Sequence, residues 1–345
     1  MTPSMKRSLC PLAVVVAGFV LLVATQIAIR QEARRRSGHG AAVGVGALKL
    51  QPLSGRAVAD SGFGQPAARH SPHAVNCSEW AVVPPLRAAF MQSRGPRYMI
   101  SFSWWDDRGG LKRASGADKA LGEMAVAPAN EEVHHVQRLV LQSAAGAALV
   151  DVGANVGFMT FFAAATDRPV FAFDPIGYNV AKLCEGLMVN RAASTLSSVQ
   201  CDSVHIFHAA VGRRHQGSIN VTRPADSVGF FDQSSLTATA VQMPESYKVT
   251  ETIDMVTLDD MIPSHVPVGV VKIDVQGHEE GVLRGMSRIL ARKTGYPTAI
   301  VFEEMPEITR AAGWTPGNSE LLLRDAGYAC GPLYARSIEV LCTKS

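Results

Sequence analysis

The stretch Leu149–Phe162, "LVDVGANVGFMTFF", decides the fold. An apolar run ends at Asp151, Gly153 and Gly157 flank a tight turn, and "NVGFMTFFAAAT" continues as an apolar run of helical length. This is the pattern of a buried strand, a turn and a buried helix. Glycine lets the backbone turn sharply and come close to a ligand, and the helix start offers free N–H groups. A dinucleotide-binding turn has the form G-x-G-x-x-G. The turn G-A-N-V-G is one glycine short of that form and has an acid just before it, which suits a cationic amino group better than a phosphate. A nucleotide-dependent oxidoreductase is therefore disfavoured.

Outward from this unit the alternation repeats. "PVFAFDP" reads as a strand, "GYNVAKLCEGLMVNR" as a helix with Val180, Leu183, Cys184, Leu187 and Met188 on one stripe, and "VHIFHAAVG" as a strand. Then come the strand "VPVGVVKIDV", the helix "EEGVLRGMSRIL", the strand "TAIVFEE", the helix "NSELLLRDAGY" and a terminal hairpin in "YACGPLYARSIEVLC". Short apolar strands alternating with helices predict an α/β, doubly wound, mostly parallel sheet covered on both faces, with an antiparallel C-terminal hairpin. Upstream, "WAVVPPLRAAFMQS" reads as a short helix, "RYMISFSWWDDRGG" as a strand and turn, and "ANEEVHHVQRLVLQSA" as a helix carrying Val133, Val136, Leu139 and Val140. In doubly wound folds an acid about 20 residues beyond the glycine turn binds the ribose. Asp174 stands 23 positions beyond Asp151; a helix cap before Pro175 is its other reading.

"DVGANVGF", "FAFDP", "AAVG", "VTLDDM" and "VKIDVQGHEEGVLRGM", in this order and spacing, resemble the FkbM family of S-adenosylmethionine-dependent methyltransferases, from about Ala148 to the C-terminus. The resemblance implies a Rossmann-like class I methyltransferase domain over 148–345 with S-adenosyl-L-methionine as cofactor. It implies that Asp151, Gly153, Asn155 and Gly157 line the methionine half, that Asp174 holds the ribose, and that His208 and Ala209 lie near the adenine. Where the family usually has glutamate, this chain has Asp174 and Gln276; the second change removes a charge near the site.

In "GVVKIDVQGHEEGVLRGM" a buried strand ends at Asp274, Gly277 permits the exit, and Val282, Leu283, Met286, Ile289 and Leu290 form the core stripe of the following helix. The charged residues thus gather at the carboxyl end of the strand, where ligands of open parallel sheets bind. Methyl transfer to a hydroxyl needs a proton acceptor, and either Asp274 or His278 can serve. Glu279 and Glu280 sit where acids pair with the helix dipole. Glu303 and Glu304, at the end of the next strand, either face the acceptor or form a solvated pair. Phe102–Gly110 reads either as an acceptor lid or as core packing through Trp104 or Trp105.

The chain has 345 residues, 47% of them hydrophobic, enough for one large domain with extensions. A net charge of +3 without a basic, aromatic-laced face gives no nucleic-acid signature. The six cysteines form no C-x-x-C, so no metal centre is expected; Cys330 and Cys342 flank the hairpin and are either a disulfide or two buried thiols. After a tail (1–8), residues 9–29 carry no charge and are just long enough to span a bilayer, as an uncleaved signal anchor or a cleaved signal peptide. Residues 30–75, rich in Gly, Ala, Arg, Ser and Pro, read as a flexible stem, and 76–147 as an extension of the catalytic domain. Arg30, Arg34, Arg35 and Arg36 favour a cytosolic C-terminal side, whereas the sequons at Asn76 and Asn220 favour a lumen of the ER or Golgi. The expected function is a membrane-anchored O-methyltransferase acting on a sugar or glycan hydroxyl, the substrate following from the resemblance and the lumenal side. The alternative is a catalytically inactive binding or scaffold protein on the same fold, which the intact set Asp151, Gly153, Gly157, Asp174 and Asp274 disfavours.

Overall fold

A computed structural model of the chain describes residues 74–80, 87–91, 96–102, 125–126, 131–224, 247–335 and 337–345. The expected anchor, the stem up to residue 73 and the segment holding Trp104 and Trp105 lie outside them. Among the described residues no helix is long and apolar enough to cross a membrane.

In chain order the elements are β1 (Arg87–Met91), β2 (Tyr98–Phe102), β3 (Ala125–Val126), α1 (Glu131–Gln142), β4 (Ala148–Val152), α2 (Phe158–Ala165), β5 (Val170–Asp174), α3 (Gly177–Ala192), α4 (Ser198–Asp202), β6 (Val204–His208), β7 (Ala210–Val211), β8 (Gln216–Pro224), β9 (Tyr247–Val256), α5 (Leu258–Met261), β10 (Val268–Ile273), α6 (Glu279–Arg284), α7 (Ser287–Leu290), β11 (Ala299–Glu303), α8 (Pro306–Ala311), α9 (Asn318–Asp325), β12 (Ala329–Pro332) and β13 (Glu339–Thr343). The main sheet has the order β12-β13-β11-β10-β4-β5-β6. From the central β4 the chain steps outward through β5 and β6, then returns to β10 on the other side. All of these pair in parallel as far as β11; β13 runs antiparallel to β11 and β12. The order reverses between β4 and β10, and ligands of open parallel sheets bind beyond the strands' carboxyl ends at such a switch point. Every residue of β4, β5 and β10 is buried, as continuous apolar strands in a doubly covered sheet require.

Several elements depart from the expectation. Residues 87–91 pair with β2 as a strand instead of extending a helix. "VHIFHAAVG" divides at Ala209: β6 stays in the main sheet and β7 joins a second sheet of order β7-β9-β8. That second sheet escaped the sequence reading, although "SINVT" and "KVTETIDM" alternate in the strand manner. The helix after Asp274 breaks into α6 and α7 at Gly285, whose Cβ would meet the Gly212 carbonyl oxygen at 2.0 Å. Met188 is 39% exposed, off the buried stripe, whereas most of α3 is buried because β2 covers its outer side. There Asn190 Oδ1 accepts from the Met99 amide (2.8 Å), and Ser101 Oγ donates to Glu185 (2.6 Å).

Among the described residues there are two disulfides. Cys330–Cys342 closes the hairpin, one of the two readings open at that position. Cys77–Cys184 ties the 3₁₀ turn Cys77–Glu79 to α3, a pairing across 107 positions that no spacing rule exposes. Beside it the Val75 amide donates to Ile206 O at 2.7 Å, covering the outer edge of β6.

Candidate active site

The carboxyl ends of the parallel strands bring Asp151 (β4), Asp174 (β5), His208 (β6), Asp274 (just after β10) and Glu303 (β11) along one rim. Asp151 is 1% exposed. Its Oδ2 accepts from Thr160 Oγ1 at 2.7 Å, while Oδ1 has no hydrogen-bond partner among the described residues and lies 4.0 Å from Lys272 Nζ. Burial pushes this carboxyl up, against the pull of Lys272 and Thr160.

Lys272 escaped the sequence reading, although a lysine inside "VGVVKI" is a signal in a strand apolar on both faces. It faces Asp151 in register and donates to Gly153 O (2.9 Å) and Asp274 Oδ2 (3.3 Å), linking both sides of the switch point. Burial alone would push its ammonium down; Asp274, Asp151 and Glu132 overcome this and hold it up.

The turn after β4 is built by close approach. Gly153 has φ +79°, and a Cβ there would lie 1.9 Å from the Asp274 carbonyl oxygen. Gly157 caps α2 at φ +94°, where a Cβ would press on the Phe161 ring and Leu183. Both glycines are thus demanded by the protein's own packing. Asn155 is left-handed at φ +56°; its amide donates to Asp174 Oδ2 at 2.8 Å, and its buried Oδ1 has no partner among the described residues. Asp174 also accepts from Ile176 N (2.9 Å) and Asn179 Nδ2 (3.0 Å), so the expected ribose-binding carboxylate locks the β4 and β5 turns together.

His208 Nε2 donates to Pro175 O (3.2 Å) and Glu251 Oε2 (3.0 Å). Glu251, which the sequence reading also missed, accepts from Gly177 N with both oxygens and so anchors the start of α3. Trp80 sets its edge against the His208 ring at 5.3 Å. Ala209 packs into the core at 1% exposure.

Asp274 is 38% exposed at its side chain. Gln276 Nε2 joins it to Glu303, donating to Asp274 Oδ1 (2.9 Å) and Glu303 Oε2 (3.0 Å). The other candidates separate from this network. Trp314 Nε1 donates to His278 Nδ1 at 3.4 Å, so the neutral ring carries its proton on Nε2, and burial pushes its pKa down to about 4. Glu279 turns back to accept from Val275 N (3.3 Å) and Gly277 N (3.1 Å), and burial pushes it up to about 7. Glu280 pairs with Arg284 one turn on. Glu304 accepts from Gly317 N at the start of α9 and does not join Glu303. Among the described residues no group of three or more His, Cys, Asp or Glu is arranged to hold a metal ion.

No curated protein matches the sequence. Among solved structures, a methyltransferase FkbM from Methylobacillus flagellatus KT is similar at 15% identity and a TM-score of 0.37, the match covering 57% of this chain and 43% of that one. A family model described as the methyltransferase FkbM domain matches residues 151–330. These residues run from the acid that ends β4 to the first residues of the terminal hairpin, taking in the whole rim from Asp151 to Glu303, and the chain belongs to the methyltransferase FkbM family.

Proposed function

We propose that this chain is an S-adenosylmethionine-dependent O-methyltransferase acting on a hydroxyl of a sugar or glycan, held at a membrane by residues 9–29. One observation carries the reading: two buried acceptor oxygens, Asp151 Oδ1 and Asn155 Oδ1, accept no hydrogen bond among the described residues and belong to one turn at the switch point, with Lys272 no nearer than 4.0 Å to the first. Such atoms are costly unless a donor reaches them. S-adenosylmethionine has the matching groups, an ammonium, a sulfonium and a ribose diol, so the residues fit it. When bound it supplies an electrophilic methyl group. In this reading Asp151 and Asn155 take the ammonium end, and Asp174 and the His208–Glu251 pair bound the ribose and adenine end. Asp274, the exposed carboxylate, faces the acceptor. Lys272 keeps Asp151 and Asp274 from repelling each other when no cation is present. The disulfides Cys77–Cys184 and Cys330–Cys342 support an oxidising compartment, the lumen of the ER or Golgi, over the cytosol.

Calorimetric titration with S-adenosylmethionine, then with NAD, tests the cofactor. Saturable micromolar binding of the first alone, lost in Asp174→Ala, is the expected result. No binding by folded protein would refute the reading and favour a scaffold role.

A further inference from the structure

Two carboxylates at adjacent strand ends should repel each other. Asp274 follows β10 and Glu303 ends β11, whose Ile273 and Phe302 are in register. The Gln276 amide meets both through one nitrogen, at 2.9 and 3.0 Å, so each of its two hydrogens serves one carboxylate. Gln276 holds φ +54°, a backbone conformation that a residue bearing a side chain adopts only where its surroundings impose it. Here Glu279 imposes it by accepting from Val275 N and Gly277 N, the amides on either side of Gln276. The result is a built clamp: Glu279 shapes the turn, the turn aims Gln276, and Gln276 ties Asp274 to Glu303.

We propose that Glu303 is the group that takes the proton of the acceptor hydroxyl, and that Gln276 is the positioning residue that couples it to Asp274. This deepens the methyltransferase reading and rests on it. As the hydroxyl oxygen bonds to the methyl carbon, the carbon–sulfur bond breaks and the sulfonium becomes a neutral thioether. The hydroxyl proton passes to the Glu303 carboxylate, which later returns it to water. The competing bases are engaged elsewhere. The accepting nitrogen of His278 is taken by Trp314, and burial makes that ring a weak base. Asp274 is ion-paired with Lys272. Glu303 faces Asp274, Glu279, Glu132 and Glu339, with Lys272 beyond Asp274. Burial and then these carboxylates push it up to about 8, the range in which a carboxylate is an effective base near neutrality. A glutamate at 276, the family's usual residue, would add a further charge in place of the two donated hydrogens.

A cation entering beside Asp274 weakens the hold of Glu303 on its proton, so binding and proton release are linked. The experiment is calorimetric titration of the full chain with S-adenosylmethionine at pH 7, in two buffers of different ionisation enthalpy. We expect release of up to about one proton per ligand bound. Glu303→Gln, which stands in for the protonated form, should still bind, more weakly than the wild type, and release none. Gln276→Leu, checked for unchanged melting behaviour, should still bind while its proton release falls or moves to another pH; a merely structural glutamine would leave it unmoved. No binding by the wild type would overturn the methyltransferase reading itself. Binding with equal proton release by wild type and Glu303→Gln, or with none by the wild type, would overturn this assignment alone.

Discussion

Gly146 and Gly153 form a natural pair for measuring how tightly the site is built. Both are left-handed, at φ +73° and +79°. A Cβ at Gly146 meets nothing within 4 Å, whereas one at Gly153 meets the Asp274 carbonyl oxygen at 1.9 Å and its carbon at 3.0 Å. Gly146→Ala therefore carries only the backbone penalty, about 1–2 kcal/mol. Gly153→Ala carries the same penalty plus the overlap, and the obstacle is backbone: the Asp274 amide is bonded to Val152 O at 3.0 Å. Opening that contact to van der Waals distance parts the ends of β4 and β10. The added costs are about 1–3 kcal/mol for overpacking and about 1 kcal/mol for the weakened hydrogen bond. At about 2–4 °C per kcal/mol for a domain of this size, Gly153→Ala should melt roughly 5–15 °C below Gly146→Ala. It should also lose S-adenosylmethionine binding, because Asp274 and Lys272 move with the strand end. Thermal unfolding followed by far-UV circular dichroism decides the matter. Equal melting temperatures for the two variants would refute the close approach of β4 to Asp274 and the site geometry built on it.

Other outcomes follow from the same structure. Chain-entropy arguments put the Cys77–Cys184 loop, 107 residues apart, at about 4.8 kcal/mol and the Cys330–Cys342 loop, 12 apart, at about 2.8 kcal/mol. Serine pairs at the first site should thus lower the urea midpoint more than serine pairs at the second; the reverse order would contradict this. His278 has a folded pKa of about 4 against an ordinary value near 6.5, so its neutral, buried state contributes stability that is fully present above about pH 6.5 and is lost as the pH falls towards 4. His278→Gln should flatten that part of the stability–pH curve measured by urea unfolding. Glu303 has the opposite sign. Its raised pKa favours the folded state below the ordinary glutamate value, and the advantage is lost as the pH rises to about 8. Glu303→Gln should match the wild type near pH 4 and exceed it in stability at pH 8; equal curves would mean that Glu303 is not held in its protonated form.

Much of the domain was legible along the chain. The apolar runs of β4, β5, β10 and β11 report burial on both faces, and the acids that end them mark the rim. Both follow from which residue types stand next to one another, so Asp151, Asp174, Asp274 and Glu303 could be found without coordinates. Val133, Val136, Leu139 and Val140 likewise mark α1, where Val136 and Val140 are buried. Other features depend on partners far away in sequence. The Lys272–Asp151 pair is set by the register of β10 on β4, the Cys77–Cys184 bond by where the turn after Asn76 lies on α3, and the break between α6 and α7 by the Gly212 carbonyl. The same holds within the "VQGHEE" turn, where four side chains in five positions face four ways: Gln276 to Glu303, His278 to Trp314, Glu279 back to the Val275 and Gly277 amides, and Glu280 to Arg284. Local pattern records how polar a residue is and how its neighbours alternate. Which distant group satisfies a side chain's hydrogen bonds is set by strand order and register, and that is why the rim could be read from the sequence but the division of tasks along it could not.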